Sequence, residues 1–313
     1  MKKALITGIS GFVGKYLAEE LTNNGYEVWG GTRDMKSMDP HKLENLISID
    51  QGNKQKIVED LNRIKPTVIF HLSAQSSVAR SWEDIEKTFE ANLMRTIELM
   101  EAIRCSEIQN DVTFVSIGSS EEYGNVSKQP ITEDTALNPS NPYGLSKATT
   151  EKILLFYHQL HNIKIVHVRP FNHIGPGQNL GFVTSDFAKQ ITDIEKELIP
   201  PLIEVGDLTA RRDFTDVRDI VKGYRLVSEY GISGEAYNIC SGRSVSIQNI
   251  LDILLSFSSK EVDVVINSGK LRPVSIKEYY GDNGKLRSLT GWSPEISLDN
   301  SLRDIYNYWM DEV

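Results

Sequence analysis

The chain has 313 residues, 40% of them hydrophobic and 25% charged, which is ordinary for a globular protein and enough for one large or two moderate domains with a buried core. A net charge of −9 and a pI near 5.3 give no global field for nucleic acid or an anionic membrane, so an anionic ligand has to be met by local arginines. No apolar run is long enough to span a bilayer, Met1-Lys2-Lys3 leads straight into a short strand, and the two cysteines, Cys105 and Cys240, lack metal-ligand spacing; a cytoplasmic protein without a metal site is expected.

In chain order, residues 3–7 read as a short apolar strand, 12–24 as an amphipathic helix, and 27–31 and 46–50 as further strands. Residues 68–72 form the continuous apolar run of a parallel strand buried on both faces. Residues 82–104 read as one long helix, with Phe89, Leu93, Ile97 and Met100 on its apolar side. A strand at 112–117, a helix at 142–161 and a strand at 163–169 follow. This alternation predicts an α/β fold with a Rossmann-type doubly wound parallel sheet, whose ligands sit at the carboxyl ends of the strands. After Arg169 the rhythm changes. Residues 171–181 read as a loop, short strands at 203–205 and 236–239 lie either side of a helix starting near Val217, and helices are expected at 246–257 and 298–310. The expected organisation is a dinucleotide-binding domain over 1–170 and a smaller C-terminal substrate-binding region over 171–313, part of which, within 213–245, returns to the sheet.

Gly8, Gly11 and Gly14 lie between the first strand and the first helix as G-x-x-G-x-x-G. This gives a tight turn, close backbone approach to a pyrophosphate and close helix–strand packing, so residues Gly8, Ser10, Gly11, Phe12, Val13 and Gly14 form the expected phosphate cradle. The second strand ends in Gly30-Gly31-Thr32-Arg33. Thr32 fills the slot where an acidic residue usually holds the ribose of NAD, and the guanidinium of Arg33 matches a 2′-phosphate, so NADP(H) is favoured over NAD(H). Asp50, with Gln51 beside it, is placed to accept from the adenine amino group or to cap a turn.

Tyr143 and Lys147 stand about one helical turn apart in Asn141-Pro142-Tyr143-Gly144-Leu145-Ser146-Lys147. An ammonium near a phenol stabilises the phenolate, so the lysine is expected to lower the tyrosine pKa, and it can also reach the nicotinamide ribose. A third member is expected at the end of the strand 112–117, where Gly118-Ser119-Ser120-Glu121-Glu122-Tyr123-Gly124 follows. At this point the chain resembles the extended short-chain dehydrogenase/reductases that act on nucleotide sugars. That family carries Ser or Thr four residues before a Tyr-Gly pair, which selects Ser119. The resemblance extends to His71-Leu72-Ser73-Ala74-Gln75, Asn92, Arg169-Pro170-Phe171-Asn172, Arg212-Asp213-Phe214 with Val217 and Asp219, Arg272-Pro273 and Gly291-Trp292-Ser293-Pro294. It implies cofactor contacts from Leu72, Ser73, Ala74, Asn92, Tyr143 and Lys147.

Phe171-Asn172-His173-Ile174-Gly175-Pro176-Gly177-Gln178 resembles the segment found in the GDP-6-deoxy-4-keto-mannose reductases that form GDP-rhamnose, and is also similar to that of GDP-mannose 4,6-dehydratases. The resemblance implies that Asn172 contacts the sugar diphosphate and that Arg211 or Arg212, with Arg272, meets the phosphates or ribose. Ser76, Ser120 and Glu121 would face the sugar. A dehydratase needs a carboxylate to take the C5 proton, and Glu121 keeps that alternative open. Against it, residues 34–38 lack the basic tetramer-forming loop of the dehydratases, and Ile174-Gly175-Pro176-Gly177-Gln178 departs from their pattern. The expected reaction is NADPH-dependent reduction of the C4 ketone of GDP-4-keto-6-deoxy-D-mannose to GDP-D-rhamnose, with Tyr143 as general acid and Ser119, Lys147 and Glu121 beside it. A dehydratase, or another nucleotide-sugar epimerase or dehydratase, is the alternative. Helices 82–104 and 142–161 resemble those that pair across dimers of the family, so a homodimer is expected.

Overall fold

The computed structural model describes residues 2–32, 45–49, 53–267, 269 and 276–312; Arg33, Asp50, Gln51 and Arg272 lie outside them. The frame is a seven-stranded sheet built from β1 (Lys3–Thr7), β2 (Glu27–Thr32), β3 (Leu46–Ser48), β4 (Val68–His71), β5 (Thr113–Ile117), β6 (Lys164–Pro170) and the later strand Ala236–Ile239. From one edge the order is Ala236–Ile239, β6, β5, β4, β1, β2, β3, with every neighbouring pair parallel. Helices cover both faces, so the central strands are buried on both sides instead of alternating; all four residues of β4 are buried.

One face packs against the first helix, Phe12–Asn23, and the helix Val217–Tyr230, with Leu17, Leu21, Ile220 and Tyr224 in the seam. The other packs against Lys54–Ile64, Arg95–Arg104 and Pro142–His161 through Leu61, Met100, Ile103 and Leu154. A separate core joins Val183–Glu195, Ile247–Leu255 and Leu298–Asp311 through Phe187, Ile191, Leu251, Leu254 and Ile305. The chain leaves β1 toward β2 and β3, then crosses to β4, β5 and β6 on the other side. The crevice at the carboxyl ends of β1 and β4 is therefore the topological switch point where such sheets bind ligands.

Two expected elements are corrected. The helix read at 82–104 is interrupted: Val78–Glu83 ends at Asp84, whose side chain caps Ile85–Phe89, and a π-helical turn, Glu90–Met94, precedes Arg95–Arg104. The loop read at 171–181 contains a strand, Asn172–Ile174, which pairs in parallel with Phe214–Asp216. That partner lies some forty residues on and is invisible to local pattern.

Candidate active site

At the switch point the turn after β1 is shaped by what its glycines lack. Gly8 has φ +73°, and a Cβ there would lie 2.9 Å from the Ser73 backbone nitrogen at the end of β4. A Cβ on Gly14 would sit 2.6 Å from the Ile9 carbonyl oxygen. The turn thus presses on both β4 and the helix behind it. That helix begins at Gly11 with no side-chain cap and no acidic residue in its first turn. Its leading N–H groups and the positive end of its dipole are left for a ligand, which fits a pyrophosphate. Ser10 and Gly11 are exposed, Phe12 and Val13 half-buried; Leu72 and Ser73 are half-buried and Ala74 exposed opposite them, and Thr32 is buried at the end of β2.

A chain of buried hydrogen bonds runs from this turn to the helix that carries Tyr143. The Thr7 hydroxyl lies 2.8 Å from His71 Nδ1, and His71 Nε2 lies 3.0 Å from the Thr96 hydroxyl. Thr96 spends its only hydrogen on the Asn92 carbonyl, at 2.7 Å, so His71 donates from Nε2 and accepts at Nδ1. Burial and the nearby Lys147 charge push His71 down to about 3, keeping the ring neutral. The π-helical turn widens the helix at Asn92, and the Thr150 hydroxyl also approaches the Asn92 carbonyl, at 3.3 Å. The Asn92 side chain accepts from Gln75 N and donates to Gln75 O and to the Ser146 hydroxyl. Its amide is spent inside the protein, clamping the loop after β4 to the Tyr143 helix. Ser76, next to Gln75, is exposed.

Pro142–His161 starts cleanly because Asn141 caps it, its side-chain oxygen accepting from Gly144 N at 2.8 Å, with Pro142 at the first position. Tyr143 and Lys147 are both buried. Lys147 Nζ donates to the Ile117 carbonyl at 2.7 Å and lies 6.0 Å from the Tyr143 ring centre. The expectation that the ammonium lowers the phenol pKa is corrected. Burial pushes Tyr143 well above its usual value; the hydrogen bond with the Ser119 side chain pulls the other way, and the charges of Glu121 and Glu122 add to the rise. Burial also pushes Lys147 down to about 8, with Glu122 opposing. The ammonium is turned to a backbone carbonyl, so it does not offset the desolvation of the phenol. Burial thus favours the protonated form of the Tyr143 phenol.

Ser119 begins a short 3₁₀ turn, Ser120–Glu122, with a capping box: its hydroxyl accepts from Glu121 N, and its own N–H donates to Glu122 Oε1 at 2.8 Å. The S-x-x-E spacing announces such a box, yet Glu122 was not among the residues expected at the site. Its fully buried carboxylate also accepts from His167 Nε2 and Arg169 Nε, each at 3.1 Å, and Arg169 makes a two-pronged pair with Glu151 at 2.7 Å. Residue 118 must be glycine, because a Cβ would lie 2.1 Å from Glu122 Oε1. Glu121 points the opposite way, its Oε2 accepting from Asn141 Nδ2 at 2.7 Å.

On the far side, Ser120 is buried and its carbonyl accepts from the Tyr279 hydroxyl. Asn172 is exposed and donates to the Asp213 carbonyl at 3.2 Å. The Asp213 carboxylate, pushed up by burial and held down by Ser241, Gly281 and Gly242, ties together the loops beside it. The adjacent arginines diverge. Arg211 is exposed and bonded to Ser244 and Glu278. Arg212 is half-buried, donates to the Ile276 carbonyl at 2.8 Å, is lowered by burial, and feels the opposing charge of Glu121. Arg212 therefore belongs to the cleft and Arg211 to its rim.

A parallel sheet with a glycine turn at its switch point, and serine, tyrosine and lysine gathered two strands away, is the architecture of the extended short-chain dehydrogenase/reductases. Within that class, the family described as GDP-mannose 4,6 dehydratase matches residues 5–305, and the chain belongs to it. It is 32% identical to the GDP-6-deoxy-D-mannose reductase of Pseudomonas aeruginosa, over 100% of this chain and 98% of that protein. It is 29% identical to the GDP-mannose 4,6 dehydratase of Cricetulus griseus, over 97% and 90%. Among solved structures, RMD from Pseudomonas aeruginosa complexed with NADPH matches with a TM-score of 0.85 at 30% identity, each chain covered over 100%. A putative epimerase from Burkholderia cenocepacia matches with a TM-score of 0.88 at 27% identity, over 99% and 98%. No helix among the described residues is long and apolar enough to cross a membrane.

Proposed function

We propose that the protein reduces the C4 ketone of GDP-4-keto-6-deoxy-D-mannose with NADPH, forming GDP-D-rhamnose. The observation that carries this reading is the end-to-end similarity to a GDP-6-deoxy-D-mannose reductase, at 32% identity. The site geometry agrees with it. NADPH supplies a hydride when bound. Its pyrophosphate would rest on the residues Gly8 to Gly14, and its 2′-phosphate would meet Arg33. Ser119 donates a hydrogen bond to the ketone oxygen and orients it, and Tyr143 gives that oxygen a proton as negative charge builds there. A phenol that burial keeps protonated suits a donor. Lys147, still largely charged at neutral pH, would reach the ribose hydroxyls of the nicotinamide half. Arg212 and Arg272 would meet the diphosphate or ribose, with Asn172 and Ser76 along the same path. Asn92 acts by positioning, since its amide is spent on Gln75 and Ser146.

The same reading assigns residues 1–170 to the cofactor and 171–313 mainly to the substrate. It places the protein in a reducing cytoplasm, in keeping with two free cysteines. Two chains would pair through the segments 82–104 and 142–161, where Trp82, Phe156 and Leu160 are 61%, 57% and 72% exposed; light scattering at micromolar concentration reads this directly, and a monomer would refute it. The function is tested by supplying GDP-mannose and GDP-4-keto-6-deoxymannose separately, following NADPH absorbance and sugar products. NADPH is expected to disappear mole for mole with the keto sugar. Conversion of GDP-mannose to the keto sugar without net NADPH loss would replace the reductase by the dehydratase.

A further inference from the structure

We propose that Asn141 is a specificity-determining positioning residue, which holds the Glu121 carboxylate against the start of the Tyr143 helix and so keeps it from acting as a base at C5 of the sugar. The proposal rests on the reductase reading above. A 4-keto sugar bound for reduction has an acidic hydrogen at C5, beside the ketone, and Ser119 and Tyr143 would stabilise the enolate as readily as the alkoxide. A carboxylate free to move in the same cleft would therefore open a competing proton transfer. Glu121 is such a carboxylate: its charge reaches both the Tyr143 phenol and Arg212.

The structure shows what holds it. Asn141 Nδ2 donates to Glu121 Oε2 at 2.7 Å, while Asn141 Oδ1 accepts from Gly144 N at 2.8 Å. One amide thus caps the helix with its oxygen and fastens the carboxylate with its nitrogen. The fit is close on the backbone too, because a Cβ on Gly144 would lie 2.3 Å from the Glu121 carbonyl oxygen and 3.2 Å from its Cβ. Glu122 cannot substitute as the base, since it is buried and committed to Ser119, His167 and Arg169. The step that Asn141 restrains is balanced. Glu121 takes the C5 proton, the C5–H electron pair becomes a C4–C5 double bond, and the C4 oxygen takes a proton from Tyr143. Reversal with a deuteron from solvent returns the ketone labelled at C5.

The test uses the enzyme with NADP⁺ in D₂O and GDP-4-keto-6-deoxymannose. Deuterium entering C5 collapses the C6 methyl doublet in the proton NMR spectrum, and label at C3 leaves that doublet alone. Reduction is measured separately with NADPH. Asn141→Ser keeps an oxygen to cap the helix and removes the donor; Asn141→Asp, a good cap that cannot donate, serves if the first variant folds poorly. In either variant the ratio of C5 exchange to reduction is expected to rise about tenfold, the effect of losing one charge-assisted hydrogen bond. The double variant with Glu121→Gln is expected to return exchange to background. A general loss of structure lowers both rates and leaves their ratio unmoved. An unchanged ratio in the single variant overturns the proposal, as does exchange that persists in the double variant. Failure of the reductase reading shows separately, as wild-type enzyme that does not oxidise NADPH with this sugar.

Discussion

At the end of β1 the protein makes its site by omission. Gly8 and Gly14 leave no room for a Cβ, and the helix that follows starts without a cap or an acid, so recognition falls to bare N–H groups. At the end of β5, two strands away, the site is crowded with ionisable side chains out of water: Tyr143, Lys147 and Glu122, backed by His167, Arg169 and Glu151. On the proposed function the first region would bind a fixed charge, for which backbone and a dipole suffice. The second would move a proton, which calls for groups whose affinities are shifted by burial and by one another. Such groups lower stability unless each is partnered. The two regions should therefore answer mutation differently, the first in binding and the second in rate and folding.

The largest effect is expected at the proton donor: Tyr143→Phe should lower kcat by about 100-fold to 10,000-fold with KM little changed. A comparable fall in NADPH affinity would erase the contrast. Glu122→Gln should follow, costing roughly 3–5 kcal/mol in a urea titration because His167 and Arg169 lose their charged partner. Its charge raises both Tyr143 and Lys147, so the alkaline limb of the kcat profile should move to lower pH in the variant. A limb that stays in place would make Glu122 purely structural. On the cofactor side, Arg33→Ala should weaken NADPH binding by roughly 1.5–3 kcal/mol and leave NADH nearly unchanged; equal loss for both would remove Arg33 from the 2′-phosphate.

Lys147→Met should lower turnover less than Tyr143→Phe does, yet stabilise the protein in the absence of added cofactor. Folding lowers the lysine from 10.5 to about 8, so the wild-type protein carries the burden of a buried cation below pH 8 and sheds it as the pH rises toward 10.5. The gain in the variant, on the order of 1–3 kcal/mol, should be full at pH 7 and vanish by pH 10.5. The smallest expected effect is Arg211→Ala, at most about 1 kcal/mol in substrate binding because the residue is an exposed, already paired cation. Arg212→Ala should cost more, and the reverse order would exchange rim and cleft.

How much of this was legible follows from sequence distance. The glycine turn and the Tyr143–Lys147 pair are each written within a few residues, and the apolar runs of the central strands follow directly from their burial on both faces. The role proposed for Ser119 needed the resemblance, since the S-x-x-E spacing marks it as a cap and says nothing of a substrate. The role of Glu122 was hidden because His167 and Arg169 stand 45 and 47 residues away. Apolar spacing passes smoothly through residues 90–94, which conceals the π-helical turn that aims Asn92 at Gln75. Arg211 and Arg212 look equivalent in sequence; a two-residue strand sends their side chains to opposite sides.

The strand Ala236–Ile239, which completes the sheet beside β6, has a consequence for how the chain is made. A ribosome that has released the first 170 residues has produced six of the sheet's seven strands and an open edge on β6, with unpaired backbone groups along a strand that the finished fold buries. Such an edge is a template for pairing with another chain. It stays uncovered until some sixty-five further residues have emerged to supply the closing strand, so the interval is one in which nascent chains are open to mispairing and to capture by chaperones.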